Sequence, residues 1–207
     1  MARFSQDLLN PYHAFAILSG TAFAATLLWP ESAPEALSAL MRGPFFPQAV
    51  AFLVGFLGLQ VGEAEHGYGP YSPGGRVARL VGLVALGLGL ILPFLLIHRV
   101  EAGLPWTRFA QILGFLAVYG LFWALAGHAA AATVHWDGLR FAIKYGSLLA
   151  VAFLPVLLGL PLSPFPTVSG LWAGTITGWW GLLLYGTLDA GAVGAWLLST
   201  QTRSSRR

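Results

Sequence analysis

The chain has no cysteine. A disulfide framework, a thiolate metal site and a cysteine nucleophile are therefore excluded. Charge is almost as scarce. Lys, Arg, Asp and Glu together make up 9% of the 207 residues, where a water-soluble domain carries about a quarter. That shortage excludes an ordinary soluble globular domain and a disordered tail protein. The net charge is only +3, and the basic residues are scattered at loop ends. They read as topology signals, and no nucleic-acid partner is expected.

What is present in excess is apolar sequence, 57% of the residues, with a mean hydropathy of +0.71. The apolar stretches run about 17–22 residues without strand-like alternation, which argues against an outer-membrane barrel. The expected fold class is all-α: a polytopic membrane protein, with residues 1–207 forming a single transmembrane domain in the lipid bilayer.

Six spans are expected, over residues 11–29, 46–61, 77–97, 109–134, 141–160 and 179–198. Most approach the roughly 20 residues that cross ~30 Å of hydrocarbon. Ala22-Phe23-Ala24 fits a signal-peptide cleavage pattern with Arg3 upstream. However, Asp7 interrupts that upstream region and apolar sequence continues to Trp29, so the first segment reads as a retained helix. With the N-terminus inside, the inner side holds Arg3, Arg76, Arg79, Arg140, Lys144, Arg203, Arg206 and Arg207. The outer side holds Arg42, Arg99 and Arg108. That bias places both termini in the cytoplasm and the chain in the inner membrane. Trp29, Trp106, Trp136 and Trp179 fall at or near span ends, where an amphipathic ring suits the headgroup zone. In the third span Gly82, Ala85 and Gly89 form a small-residue face suited to close helix packing.

Two connections stand out. Residues 62–75 read GEAEHGYGPYSPGG, polar, aromatic and rich in turn formers. Residues 161–178 read PLSPFPTVSGLWAGTITG, with three prolines and no charge. That stretch is too apolar for a solvated loop and too broken for a span. A short re-entrant or interfacial segment before the sixth span is the physical reading.

Few residues inside the spans carry chemistry. Asp189 lies near the middle of the sixth span, where a carboxylate costs about 2.5–3.5 kcal/mol on the insertion scale. It is expected to face the bundle, as a gate, a substrate contact or a proton site, unless it sits at the cytoplasmic end or caps a helix break near Gly186 or Gly191. His128 is the second intramembrane polar residue. Haem b would need two imidazoles on facing helices at matching depth. Only His13 and His128 come near that, and no cofactor is expected. Glu63 and His66 supply a single E-x-x-H, where a di-metal carboxylate site needs two. No metal site, nucleophile elbow or phosphate loop is visible, so no catalytic residue is assigned and an enzyme is not expected.

The loop at 62–75 is the most informative pattern. Glu63 and Glu65 come first, then His66-Gly67, then Arg76 and Arg79 leading into the third span. In this layout the chain resembles a type-2 ABC exporter permease, the family that includes the haem-exporter permease of cytochrome c maturation. There an acidic residue near the inner end of the second span precedes a coupling segment, and a basic residue opens the third span. Residues 161–178 resemble the short outer gate helices of that family. The resemblance implies a permease subunit that docks a cytoplasmic ATPase through Glu63, Glu65, His66, Gly67, Arg76 and Arg79. It also implies pairing with a second copy or a related membrane subunit. The apolar, aromatic lining suits an amphipathic substrate. The alternative is a non-transporting integral subunit of a respiratory or photosynthetic complex, which would account for the few polar residues inside the spans.

Overall fold

The computed structural model describes residues 2–30, 34–68 and 72–204, with side chains described from residue 10 to residue 196 of these. The side chains of Arg3 and Arg203, and Arg206 and Arg207 entirely, lie outside this described part, as do residues 69–71 of the turn-rich connection. Among the described residues every regular element is a helix: α1 (Ala2–Leu27), α2 (Glu35–Arg42), α3 (Phe45–His66), α4 (Pro73–Glu101), α5 (Trp106–Thr133), α6 (Asp137–Leu157), α7 (Pro164–Ala173) and α8 (Ile176–Ser204).

Four of these, α3 to α6, are long and apolar enough to cross a membrane. They coincide with the second to fifth expected spans. α1 and α8 have 26 and 29 residues; over their described residues they do not join that apolar set. The first helix does not begin at Pro11. It begins at Ala2 and carries Pro11 in its interior, where the missing N–H deletes one helical hydrogen bond. The connection between α1 and α3 contains α2, which buries Met41.

The centre of the molecule is the α3–α5 pair. α1 and α4 pack against it on one side, and α6, α7 and α8 complete the bundle. Glycine makes the central contact possible. A side-chain carbon at Gly58 would stand 2.5 Å from the Gly120 carbonyl oxygen, and one at Gly62 or Gly127 would overlap the facing backbone at Ala124 or Leu59. Small residues let two backbones approach in this way, and van der Waals contact along the seam then holds them. Phe46, Val50, Val54, Phe115, Leu116, Tyr119 and Trp123 fill the core around it.

The small-residue face expected on the third span is not a packing face within the chain. Gly82 and Gly89 of α4 have nothing within 4 Å of an added side-chain carbon, and Ala85 is exposed. The inward glycine of that helix is Gly87, pressed against the Leu57 side chain. It lies five residues from Gly82, on the opposite side of the helix.

The broken stretch before the last helix folds into α7. Ser163 starts it by accepting a hydrogen bond from the Phe165 N–H at 3.2 Å, and Pro164 occupies the first turn. Gly174 ends it at φ +74°, a left-handed conformation that glycine adopts without strain. α7 and α8 form a tight hairpin in which Gly170 and Gly178 meet backbone to backbone. Gln48 of α3 anchors α7 by donating to the Phe165 carbonyl at 3.0 Å and to Ser169 Oγ at 2.7 Å.

Candidate functional site

The polar groups gather in two places: a charged junction where α3 ends and α4 and α6 begin, and the α5–α8 seam above it.

Glu63 and Glu65 sit two residues apart near the end of α3, about 200° around the helix from each other. They therefore face different neighbours. Glu65 is buried, 1% exposed, and both its oxygens accept from Arg79 Nε of α4 at 2.9 and 3.0 Å. The Arg79 guanidinium also lies 5.4 Å from the Tyr68 ring centre. Glu63 turns toward α6. It accepts from Arg140 Nε at 2.9 Å and pairs with the ammonium of Lys144, which is only 4% exposed. Arg140 pairs in addition with Asp137 and donates to the Val134 carbonyl at 3.3 Å.

Helix dipoles do not explain this arrangement. Acids at a helix C-terminus and bases near an N-terminus both oppose the macrodipole. Direct pairing holds the groups. The expected docking residues Glu65 and Arg79 are thus partners of one another, and Glu63 is held by α6. Sequence reading had counted Arg140 and Lys144 only as topology signals. Their i,i+4 spacing at the start of an apolar helix was the one clue that an acid faced them.

His66 closes α3 and is exposed, with Gly67 as the cap residue. Its ring centre lies 5.1 Å from that of His128 on α5, edge to face. His128 is 8% exposed and leans on Trp196 of α8 at 4.9 Å. Its titratable neighbours are His66 and Arg76. His128 Nδ1 is buried with no hydrogen-bond partner among the described residues.

Asp189 lies midway along α8, which runs without a break from Ile176 to Ser204. The carboxyl therefore caps no helix break. It is 6% exposed, and both oxygens are buried without a partner among the described residues. One turn earlier, Tyr185 donates to the Leu162 carbonyl at 3.1 Å and meets Tyr119 of α5 at 4.9 Å between ring centres. Gly186 and Gly191 face open space. Asp189, one turn after Tyr185, lies on the side of α8 that faces α5.

His13 and His128 do not face each other. His13 is on the exposed side of α1, and α1 packs on α2, α3 and α4 rather than on α5. No three His, Asp or Glu side chains converge among the described residues. At the opposite end, Thr26, Trp29, Arg42, His98 and Glu101 border a cavity of about 420 Å³. His98 Nε2 is held there, 2.9 Å from the Gly43 carbonyl oxygen.

No family profile, no curated protein and no solved structure matches this chain.

Proposed function

We propose that the chain is the membrane-embedded permease subunit of an ABC-type exporter, with α1 and α8 as the first and sixth of six spans. Both termini then lie in the cytoplasm of an inner-membrane protein. The observation that carries this reading is the charged junction, where one acidic helix end is clamped to two basic helix starts. A junction of that kind makes the inner ends of α3, α4 and α6 move as one body. A push on the short connection after Gly67 is then passed to three helices at once. The energy source is a separate ATPase, since the chain carries no phosphate-binding loop. Because Glu63, Glu65 and Arg79 are engaged inside the chain, docking falls to His66, Gly67 and the turn that follows. The apolar and aromatic core suits an amphipathic substrate.

The test is purification of the tagged chain from native membranes in mild detergent. A stoichiometric Walker-motif ATPase, lost when residues 67–71 are replaced by a Gly/Ser linker, is the expected result. A chain that purifies alone, or with integral membrane proteins only, would overturn the reading.

One observation favours the rival reading of a non-transporting membrane subunit. α6 buries little of itself within the chain, and Phe141, Leu149, Phe153 and Leu157 are exposed along it. Such a face fits a lateral partner in a larger assembly. A haem or pigment band in the purified complex, with no ATPase present, would select that alternative.

A further inference from the structure

Two contacts fix how α5 and α8 run beside each other. Tyr185 packs against Phe115, Tyr119 and Phe122, and Trp196 packs against His128. Both residue numbers rise together, so the helices are parallel. Asp189 falls between these two aromatic layers. Its oxygens are sealed from solvent and no donor reaches them. An ionised carboxylate in such a place, with neither donor nor counter-charge, costs far more than the neutral acid. A metal cation would need several oxygen ligands, and no group of three His, Asp or Glu side chains forms around Asp189 among the described residues. A proton needs only the one carboxyl.

We propose that the α5–α8 seam holds a proton-binding site, with Asp189 as the acceptor and the His66–His128 ring pair as its access route. His66 is exposed at the end of α3, and its ring touches that of His128. His128 Nδ1, like Tyr119 Oη and Trp123 Nε1 of the same helix, is a buried polar atom without a partner among the described residues. From the Trp196 layer to Asp189 is seven residues of helix, about 10 Å. Crossing that length takes about two or three water molecules, for which the orphaned atoms at each end supply polar contacts. A proton from bulk water passes through His66 and His128 to an Asp189 oxygen, and the seam's charge rises by one as the carboxylate is neutralised. Among the described residues, the other titratable groups facing the site are Tyr119 on α5, Tyr185 on α8 and Arg76 of α4, which neighbours His128. α7 carries none, and α4 keeps its charged groups, Arg76, Arg79, Arg99 and Glu101, at its two ends, with His98. The site rests on the burial of this carboxyl and stands with or without an ATPase partner.

Infrared difference spectroscopy of the whole chain in lipid nanodiscs tests it. Asp7, Asp137 and Asp189 are the only aspartates, so ¹³C-aspartate labelling marks three groups. The expected result is an isotope-sensitive carboxylic-acid C=O band that fades as pH rises and is absent in Asp189→Asn. The same band must survive in the Asp7→Asn/Asp137→Asn double variant, which leaves the seam untouched. No acid band in that double variant at any pH where the chain stays folded would overturn the site. Persistence of the band in Asp189→Asn would do the same. The access route is read by deuterium uptake. His128→Phe should slow the isotope shift of the acid band at least tenfold, and an unchanged rate would remove His128 from the route.

Discussion

Lys144 shows how strongly one side chain can depend on another. Its ammonium is 4% exposed and its ion-pair partner is Glu63, whereas Glu63 has both Lys144 and Arg140. Breaking a buried pair from one side leaves an uncompensated charge, at a cost of about 3–5 kcal/mol. Glu63→Gln strands the Lys144 ammonium and is expected to approach that cost. Lys144→Met leaves Glu63 half-exposed and still paired with Arg140, so it should cost clearly less. The double variant should lose less than the sum of the two. Unfolding in graded SDS measures all three, and equal single losses with simple additivity would show that the pair is not coupled. The Glu65–Arg79 pair follows the same logic: reversing both charges keeps an ion pair, so it should be better tolerated than either single reversal.

At the scale of the elements, the α3–α5 contact and the outward face of α4 differ in a way substitution can read. A methyl group at Gly62 would collide with the Ala124 carbonyl, which is backbone and cannot swing aside. Gly62→Ala should force the helices apart and cost about 1–3 kcal/mol. Gly82→Ala meets nothing and gains helix propensity, so it should be neutral or stabilising by up to about 1 kcal/mol. SDS unfolding midpoints give the comparison, and a harmless Gly62→Ala would mean the backbones do not touch there. The α7–α8 hairpin is a second rigid element. Its glycines and the Gln48 anchor tie the short helix to α3, so α7 and the N-terminal end of α3 should move together.

For the whole molecule the decisive property is sidedness. The eight-to-three excess of Lys and Arg on one side predicts both termini inside. Single cysteines at Ser38 and Ser205 should then label from opposite faces of sealed vesicles. Labelling from the same face would overturn the six-span topology and, with it, the placement of the charged junction against the cytoplasm. A cysteine-free chain makes this experiment clean, because no background thiol needs removal.

The helical class, four of the six expected spans and the interruption before α8 could be read from the sequence. Each depends on local quantities: the length of an apolar run, a proline in a first turn, a cluster of turn formers. The candidate site was legible only in part. Asp189 and His128 stood out because a polar group among apolar neighbours is conspicuous without any knowledge of the fold. What only the tertiary structure decided was direction: that Gly62 rather than Gly82 meets another backbone, that Glu63 and Glu65 turn to different helices, and that Lys144 is the buried partner of an acid 81 residues away. The reason is physical. In a helix that is apolar all round, the faces toward lipid and toward protein have the same hydrophobicity. No polar stripe marks which way the helix turns, so its rotation is set by the packing and pairing of the neighbours it meets.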